Sequence, residues 1–410
     1  MRAMKYSGIE WIGEIPESWK INKFKHLYIA SNAGEVIDKG FWNVGEELLY
    51  TCQRTPMKSN YTDFPEEKRT TTNDLLLTRN ATPYIFKPEP YAIYSNVVQR
   101  VTIQKGVCIP FIQYAAQEAV SRVIAQGDTI PSYNMQIWDN IVIPYPLSDE
   151  QSLIAAYLDR QCALIDSVVE KTKASIEEYK KLRQSVITQA VTKGVRGERA
   201  MKDSGIEWIG EIPKEWEVLK LRSHTTMLTP MRDKPENLDG DIPWVRIEDY
   251  NGKYISASKD GLGVSLETVK EMNLKIYPVG SILCTSSCDL GKCAIVAKEL
   301  VSNQRFINII PDTSTSSDFL YYVMLSNAKR LNHLSTGTIQ ANLSRVEFEH
   351  LRIQFPSHEE QSEIAAYLDK KCAEIDALIT KKEQFLTELE SYKRSLIYEY
   401  VTGKKEVPQA

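Results

Sequence analysis

Ser7-Gly8-Ile9-Glu10-Trp11-Ile12-Gly13-Glu14-Ile15-Pro16 returns unchanged as Ser204-Gly205-Ile206-Glu207-Trp208-Ile209-Gly210-Glu211-Ile212-Pro213, at an offset of 197, and Trp19 is matched by Trp216. A second block repeats at an offset of 210. It runs from Gln151 to Asp166, with Ala155-Ala156-Tyr157-Leu158-Asp159 inside, and again from Gln361 to Asp376, with Ala365-Ala366-Tyr367-Leu368-Asp369. An internal repeat decides the architecture before any local reading does. The unequal offsets mean that the intervening segments, 20–147 and 217–356, differ in length, and they share little sequence. A duplication frozen by structural need would explain the repeated blocks but not the divergence between them. A scaffold carrying two different readers explains both.

Ser148 with Gln151, and Ser357 with Glu360, stand at capping-box spacing. Beyond them Ile154, Leu158, Ile165, Val169, Ile176, Tyr179, Val186 and Ala190 recur at three- and four-residue steps. So do Ile364, Leu368, Ile375, Ile379, Leu386, Leu389, Leu396 and Tyr400. This spacing predicts two helices of about 45 residues, each about 68 Å long, packed antiparallel along a coiled-coil seam. Gly194 ends the first, and Thr402-Gly403 the second. In the variable segments Asp74–Arg79, Asn140–Ile143, Ser281–Thr285 and His350–Ile353 read as strands, and Phe319–Leu325 as helix. The expected fold class is α+β: two globular α/β domains separated by two long antiparallel helices, pseudo-two-fold and nearly circular. The expected boundaries are 1–147, 148–196, 197–356 and 357–410.

The 410 residues are enough for several well-buried cores. Hydrophobic content of 42% and charged content of 25% are those of an ordinary globular protein. No apolar run reaches the ~18 residues of a membrane span, and the amino terminus lacks the layout of a signal peptide. Seven cysteines, an odd number spread along the chain, read as free thiols in a reducing compartment. The expectation is a cytoplasmic protein.

No catalytic constellation survives inspection. Cys284, Cys288 and Cys293 lack the paired knuckles and fourth ligand of a zinc site and read as small buried thiols. His358-Glu359 has Ser362 where a metalloprotease helix needs its second histidine. Before Gly291-Lys292 the phosphate-loop glycine is replaced by Ser286, and Cys293 replaces the hydroxyl residue. Gly261-Leu262-Gly263 lacks a third glycine. Asn80-Ala81-Thr82-Pro83-Tyr84 is not the contiguous Asn-Pro-Pro-Tyr type of amino-methyltransferases. Glu66-Glu67-Lys68, after Asp63, is a nuclease-like triplet of a kind common by chance.

The paired Trp-Ile-Gly-Glu-Ile-Pro motifs, the turns at Gly127 and Gly337, and the Pro-x4-Gln helix entries at Pro146–Gln151 and Pro356–Gln361 together resemble the specificity subunits of Type I restriction-modification systems. The resemblance covers nearly the whole chain. It implies two target-recognition domains, each binding one half of a bipartite, asymmetric site in double-stranded DNA, and helices that set the gap between the halves. It also implies two methyltransferase subunits docked on the helices, two restriction/translocase subunits joining for cleavage, and no catalysis in this chain. S-adenosylmethionine, ATP and magnesium then belong to the partners.

On that reading, DNA contact falls to side chains with base-edge or phosphate chemistry. The candidates are Arg54, Lys58, Arg79, Asn80 and Arg100 in the first segment, and Arg246, Ser286, Arg305, Gln340 and Asn342 in the second. Any one of them taken singly is more often a solvated surface residue. The net charge of −4 opposes DNA binding by this chain alone. Residues 20–147 hold 13 basic and 12 acidic side chains, and 217–356 hold 16 of each. Tight binding therefore needs basic surface from partners. Two other classes compete: an enzyme with its own site, which the missing motifs oppose, and a coiled-coil protein adaptor, which would not need two divergent domains.

Overall fold

A computed structural model describes residues 2–80, 82–122, 134–230, 234–287, 290–328, 330–331 and 343–408. The chain divides into two compact units, one of Met1–Thr172 with Gln384–Ala410, the other of Lys173–Glu383. Two long helices, Ser148–Lys193 and His358–Val401, each give one half to each unit.

In the first unit the repeated motif folds as a tight hairpin, Met4–Tyr6 against Glu14–Pro16. Gly8 and Gly13 supply left-handed backbone at its turn, with φ of 79° and 67°. Its Ile12, Ile15 and Trp19 are buried. The main sheet is antiparallel, with Tyr28–Ala33, Val98–Ile103, Asp74–Thr78 and Ile85–Phe86 side by side in that order. Helix Ile109–Val120 lays Phe111, Ile112, Ala115 and Ala116 into the same core. A second small sheet of Met57–Ser59, Trp42–Tyr50 and Ile93–Tyr94 has a separate core around Leu49, Phe64 and Tyr94.

The second unit repeats this plan. Its hairpin is Met201–Asp203 against Glu211–Pro213. Its main sheet runs Thr225–Leu228, Phe306–Pro311, Ile282–Thr285, Cys293–Val296, with Tyr254–Ile255 added in parallel at the edge. The helix on this sheet is Ser317–Ser326, covering the expected Phe319–Leu325.

The seam is antiparallel in each unit taken by itself. In the first, Tyr157 and Tyr400 have ring centroids 4.6 Å apart, and Lys393 Nζ lies 2.6 Å from Asp166. In the second, Lys382 Nζ stands 5.7 Å from the Tyr179 ring, and Arg183 Nε lies 3.0 Å from Asp376. Position thus rises along one helix as it falls along the other. Ile154, Leu158, Ile165, Ile176, Ile364, Leu368 and Ile375 are buried, while Val169, Ile379 and Leu386 are half-buried. These apolar contacts, with the polar face outward, hold helices that no intrinsic propensity would keep straight at this length.

Two local expectations need correction. The helix starts are not capping boxes. Gln151 donates from its side chain to the Pro146 carbonyl at 2.9 Å and accepts the Cys108 amide at 3.3 Å, at the start of the sheet-covering helix. Ser357 does accept the Glu360 amide at 3.3 Å, but the Glu360 carboxylate turns away to Trp216 Nε1 at 2.9 Å and to Arg199 Nη2 at 2.5 Å. The same triad recurs in the first unit, where Trp19 Nε1 donates to Glu150 at 2.7 Å and Arg2 pairs with that carboxylate. In both units the arginine also covers the tryptophan ring, at 5.0 and 5.3 Å. The strands before the long helices begin two residues later than expected, at Val142–Tyr145 and Arg352–Phe355. Short helices Met135–Asn140 and Arg345–His350 occupy the preceding residues, started by Asn134 and Ser344 accepting amides of their own first turns.

Candidate nucleic-acid interface

The main sheet ends, in each unit, in a turn with the same register. In the first unit Thr78 stands opposite Val98, and in the second Thr285 stands opposite Phe306. The next residue then repeats one bond: Arg79 N–H donates to the Val97 carbonyl at 2.8 Å, and Ser286 N–H to the Arg305 carbonyl at 2.8 Å. Arg79 and Ser286 are therefore equivalent positions on one scaffold.

Three loops converge there in the first unit. The Cys52 thiol reaches the Val97 carbonyl at 3.8 Å, and burial pushes that thiol up, opposed by a hydrogen bond from the Asn80 backbone. Arg54, exposed, stands over the Tyr84 ring at 5.9 Å. Arg54, from a separate loop, thus joins the adjacent Arg79 and Asn80 at one sheet end. In the second unit the corresponding end carries Arg246, Ser286 and Arg305. The Asn303 amide bonds the Val245 carbonyl at 3.3 Å, and Asn303 Oδ1 accepts the Arg305 amide at 3.1 Å. Arg305 is exposed. The Arg246 guanidinium is held by Glu248, at 3.1 Å, and by Asp260, so its charge is locally neutralised.

The other candidates lie elsewhere. Arg100 is a correction: on the central strand it is 8% exposed, and its guanidinium donates to the Arg69 and Glu67 carbonyls at 2.7 and 3.2 Å. A guanidinium so enclosed serves the fold, as Asn308 does at the matching strand position with its bond to Ser281 Oγ at 2.7 Å. Lys58 is exposed on an outer strand, bonded to the Glu46 carbonyl at 3.0 Å. Gln340 and Asn342 lie outside the described residues, as do Gly127, Gly337 and Cys288. Tyr84, set aside in the sequence as a fragment of a methyltransferase motif, is the platform under Arg54. Only its spacing from the strand end could have signalled this.

The charged triplet does not converge on a nuclease centre. Glu66 takes the Tyr91 hydroxyl at 2.6 Å, which holds its carboxyl below the usual range, while Lys68 turns to Glu35. Cys284 and Cys293 face each other across adjacent strands, both buried. Among the described residues no group of three or more His, Cys, Asp and Glu could hold a metal ion, and no helix is long and apolar enough to cross a membrane.

Residues 213–388 match the family model described as the Type I restriction modification DNA specificity domain. Over 182 residues the chain is 35% identical to the MjaIX specificity subunit of Methanocaldococcus jannaschii, a match spanning 43% of this chain and 41% of that one. With the putative MjaX specificity subunit of the same organism it shares 25% identity across 96% of this chain and 95% of the relative. Among solved structures, a chain from a study of complex assembly and conformational transition in the type I R-M system superposes with a TM-score of 0.73 at 14% identity, covering 95% of this chain and 99% of that one, and so shares the fold. The adaptor reading, which has no place for DNA specificity, finds no support in these likenesses. With a repeated scaffold, divergent sheet ends and one relative aligned along almost all its length, the chain is similar to the DNA specificity subunits of Type I restriction-modification systems.

Proposed function

We propose that each unit reads one half of a bipartite, asymmetric DNA site through its sheet-end loops, that the long helices set the gap, and that methyltransferase subunits dock on those helices. The single observation that carries this reading is the pair of matched positions with unlike chemistry, Arg79-Asn80 against Ser286-Ser287, on one repeated frame. Two readers of one design but different side chains call for two different half-sites. The chain performs no chemistry of its own. S-adenosylmethionine, ATP and magnesium act on the partner methyltransferase and restriction subunits, whose basic surface supplies the phosphate affinity that variable segments of net charge +1 and 0 lack.

The test is a domain exchange in the complex reconstituted with its methyltransferase. Replacing residues 20–147 by the matching segment of a related specificity subunit should change one methylated half-site and leave the other half and the gap intact. Sequencing of methylated positions reads the result. A simultaneous change of both half-sites would overturn the proposal.

A further inference from the structure

We propose that Arg79 is a specificity-determining residue that reads a guanine in the half-site of the first unit, and that the second unit, with Ser286 in its place, makes no such contact. This rests on the reading of each unit as the reader of one half-site, and takes it to one residue and one base.

The root of Arg79 is pinned on every side. Thr78, fully buried, receives the Trp138 indole N–H on its carbonyl at 3.2 Å, gives its amide to the Tyr84 carbonyl at 3.0 Å, and closes the turn by accepting the Tyr84 amide on Oγ1 at 2.9 Å and donating to the Thr82 carbonyl at 3.1 Å. The Arg79 amide is itself fixed on Val97. The side chain that leaves this rigid root is half-exposed, and among the described residues it has no acid or carbonyl partner. That contrasts with Arg69, Arg100 and Arg246, all engaged by carboxylates or carbonyls within their own unit.

An uncommitted guanidinium on a pinned backbone has the preorganisation that base reading needs and that phosphate contact does not. Guanidinium pairs bidentately with guanine O6 and N7 in the major groove. Arg54, by contrast, lies over the Tyr84 ring at 5.9 Å.

The experiment uses the full chain in complex with its methyltransferase, acting on DNA with a randomised first half-site, and methylated positions are sequenced. Arg79→Ala should relax one guanine position of one half-site by about 5- to 150-fold, the range of one bidentate pair, and leave every other position, the gap and the second half-site unchanged. Arg79→Gln, which keeps polarity and most of the length, should move the same position towards adenine. It also carries the test should the alanine variant not fold. Equal weakening on all sequences, with the salt dependence of binding reduced by about one counterion, would make Arg79 a phosphate contact and overturn the proposal. So would unchanged preference. A wild-type complex without sequence preference would instead sink the underlying reading of two DNA readers.

Discussion

Glu360→Ala should destabilise the second unit far more than Glu150→Ala destabilises the first, although the two carboxylates occupy the same place in the repeat. The Glu360 side chain is 3% exposed, against 29% for Glu150, and the paired arginines differ likewise, at 15% for Arg199 and 23% for Arg2. Removing Glu360 strips the Trp216 indole N–H of its acceptor, a charge-assisted bond of about 1.5–3 kcal/mol. It also takes one partner from a nearly buried ion pair, where breaking a fully buried pair costs about 3–5 kcal/mol. Arg199 keeps Glu215 at 2.8 Å and the Lys193 carbonyl at 3.0 Å, so the two losses do not add in full. The expected cost is about 3 kcal/mol, or roughly 6–12 °C of thermal midpoint for a unit of this size. At Glu150 water reaches both partners and the cost falls to about 1 kcal/mol. Hydrogen-exchange mass spectrometry is the assay, because peptides from each unit report its opening without assuming one global transition. Equal losses in the two variants, or less than about 1 kcal/mol at Glu360, would refute the assignment of these triads as the anchors of the repeat.

Two further outcomes follow from the same geometry. Ile165→Asp places an unpaired ion in the seam of the first unit, where Ile165 is 7% exposed, and should cost several kcal/mol or abolish assembly with partners; circular dichroism melting and gel filtration check this, and unchanged behaviour in both would remove Ile165 from the seam. Burial pushes the Cys284 thiol well up, so at pH 8 native protein should resist alkylation at Cys284 and gain reactivity only with denaturant, and mass mapping that found prompt native labelling would contradict the packed strand pair.

The repeat and the seam were legible because both are carried by local spacing: ten identical residues mark the hairpins, and apolar steps of three and four mark the helices. The sheet ends were half legible. Arg79 and Arg305 could be chosen by residue type, but so could Arg100, and nothing in Val98-Gln99-Arg100-Val101-Thr102-Ile103 says that the guanidinium turns inward to carbonyls some thirty residues earlier. Ser344-Arg345-Val346-Glu347 is a true capping box, with both reciprocal bonds present. It passed unread because the helix it opens is only six residues long. Glu360 was misread for the opposite reason. Its spacing from Ser357 fitted a local cap, while its real partner, Trp216, stands 144 residues away and shares no pattern with it.

The two units differ in how the chain supplies them. The second is one uninterrupted stretch, Lys173–Glu383, whereas the first needs Gln384–Ala410 to return to residues near its beginning. There Arg2 donates to the Gly403 carbonyl at 3.0 Å, and Lys404 reaches the Ile12 carbonyl at 2.5 Å. In the second unit the matching junction, Gly194 to Arg199, is a few covalent links long. During synthesis on the ribosome the second unit therefore has all its residues before the first, which emerged earlier but whose core around Ile154, Leu158 and Ile165 lacks Leu396, Tyr400 and Val401 until they arrive. Closing so long a loop costs only logarithmically more than closing a short one, yet it sets the waiting time. The half-built first unit is thus the stage at which a nascent chain presents an incomplete apolar core to chaperones or to its neighbours on the same message.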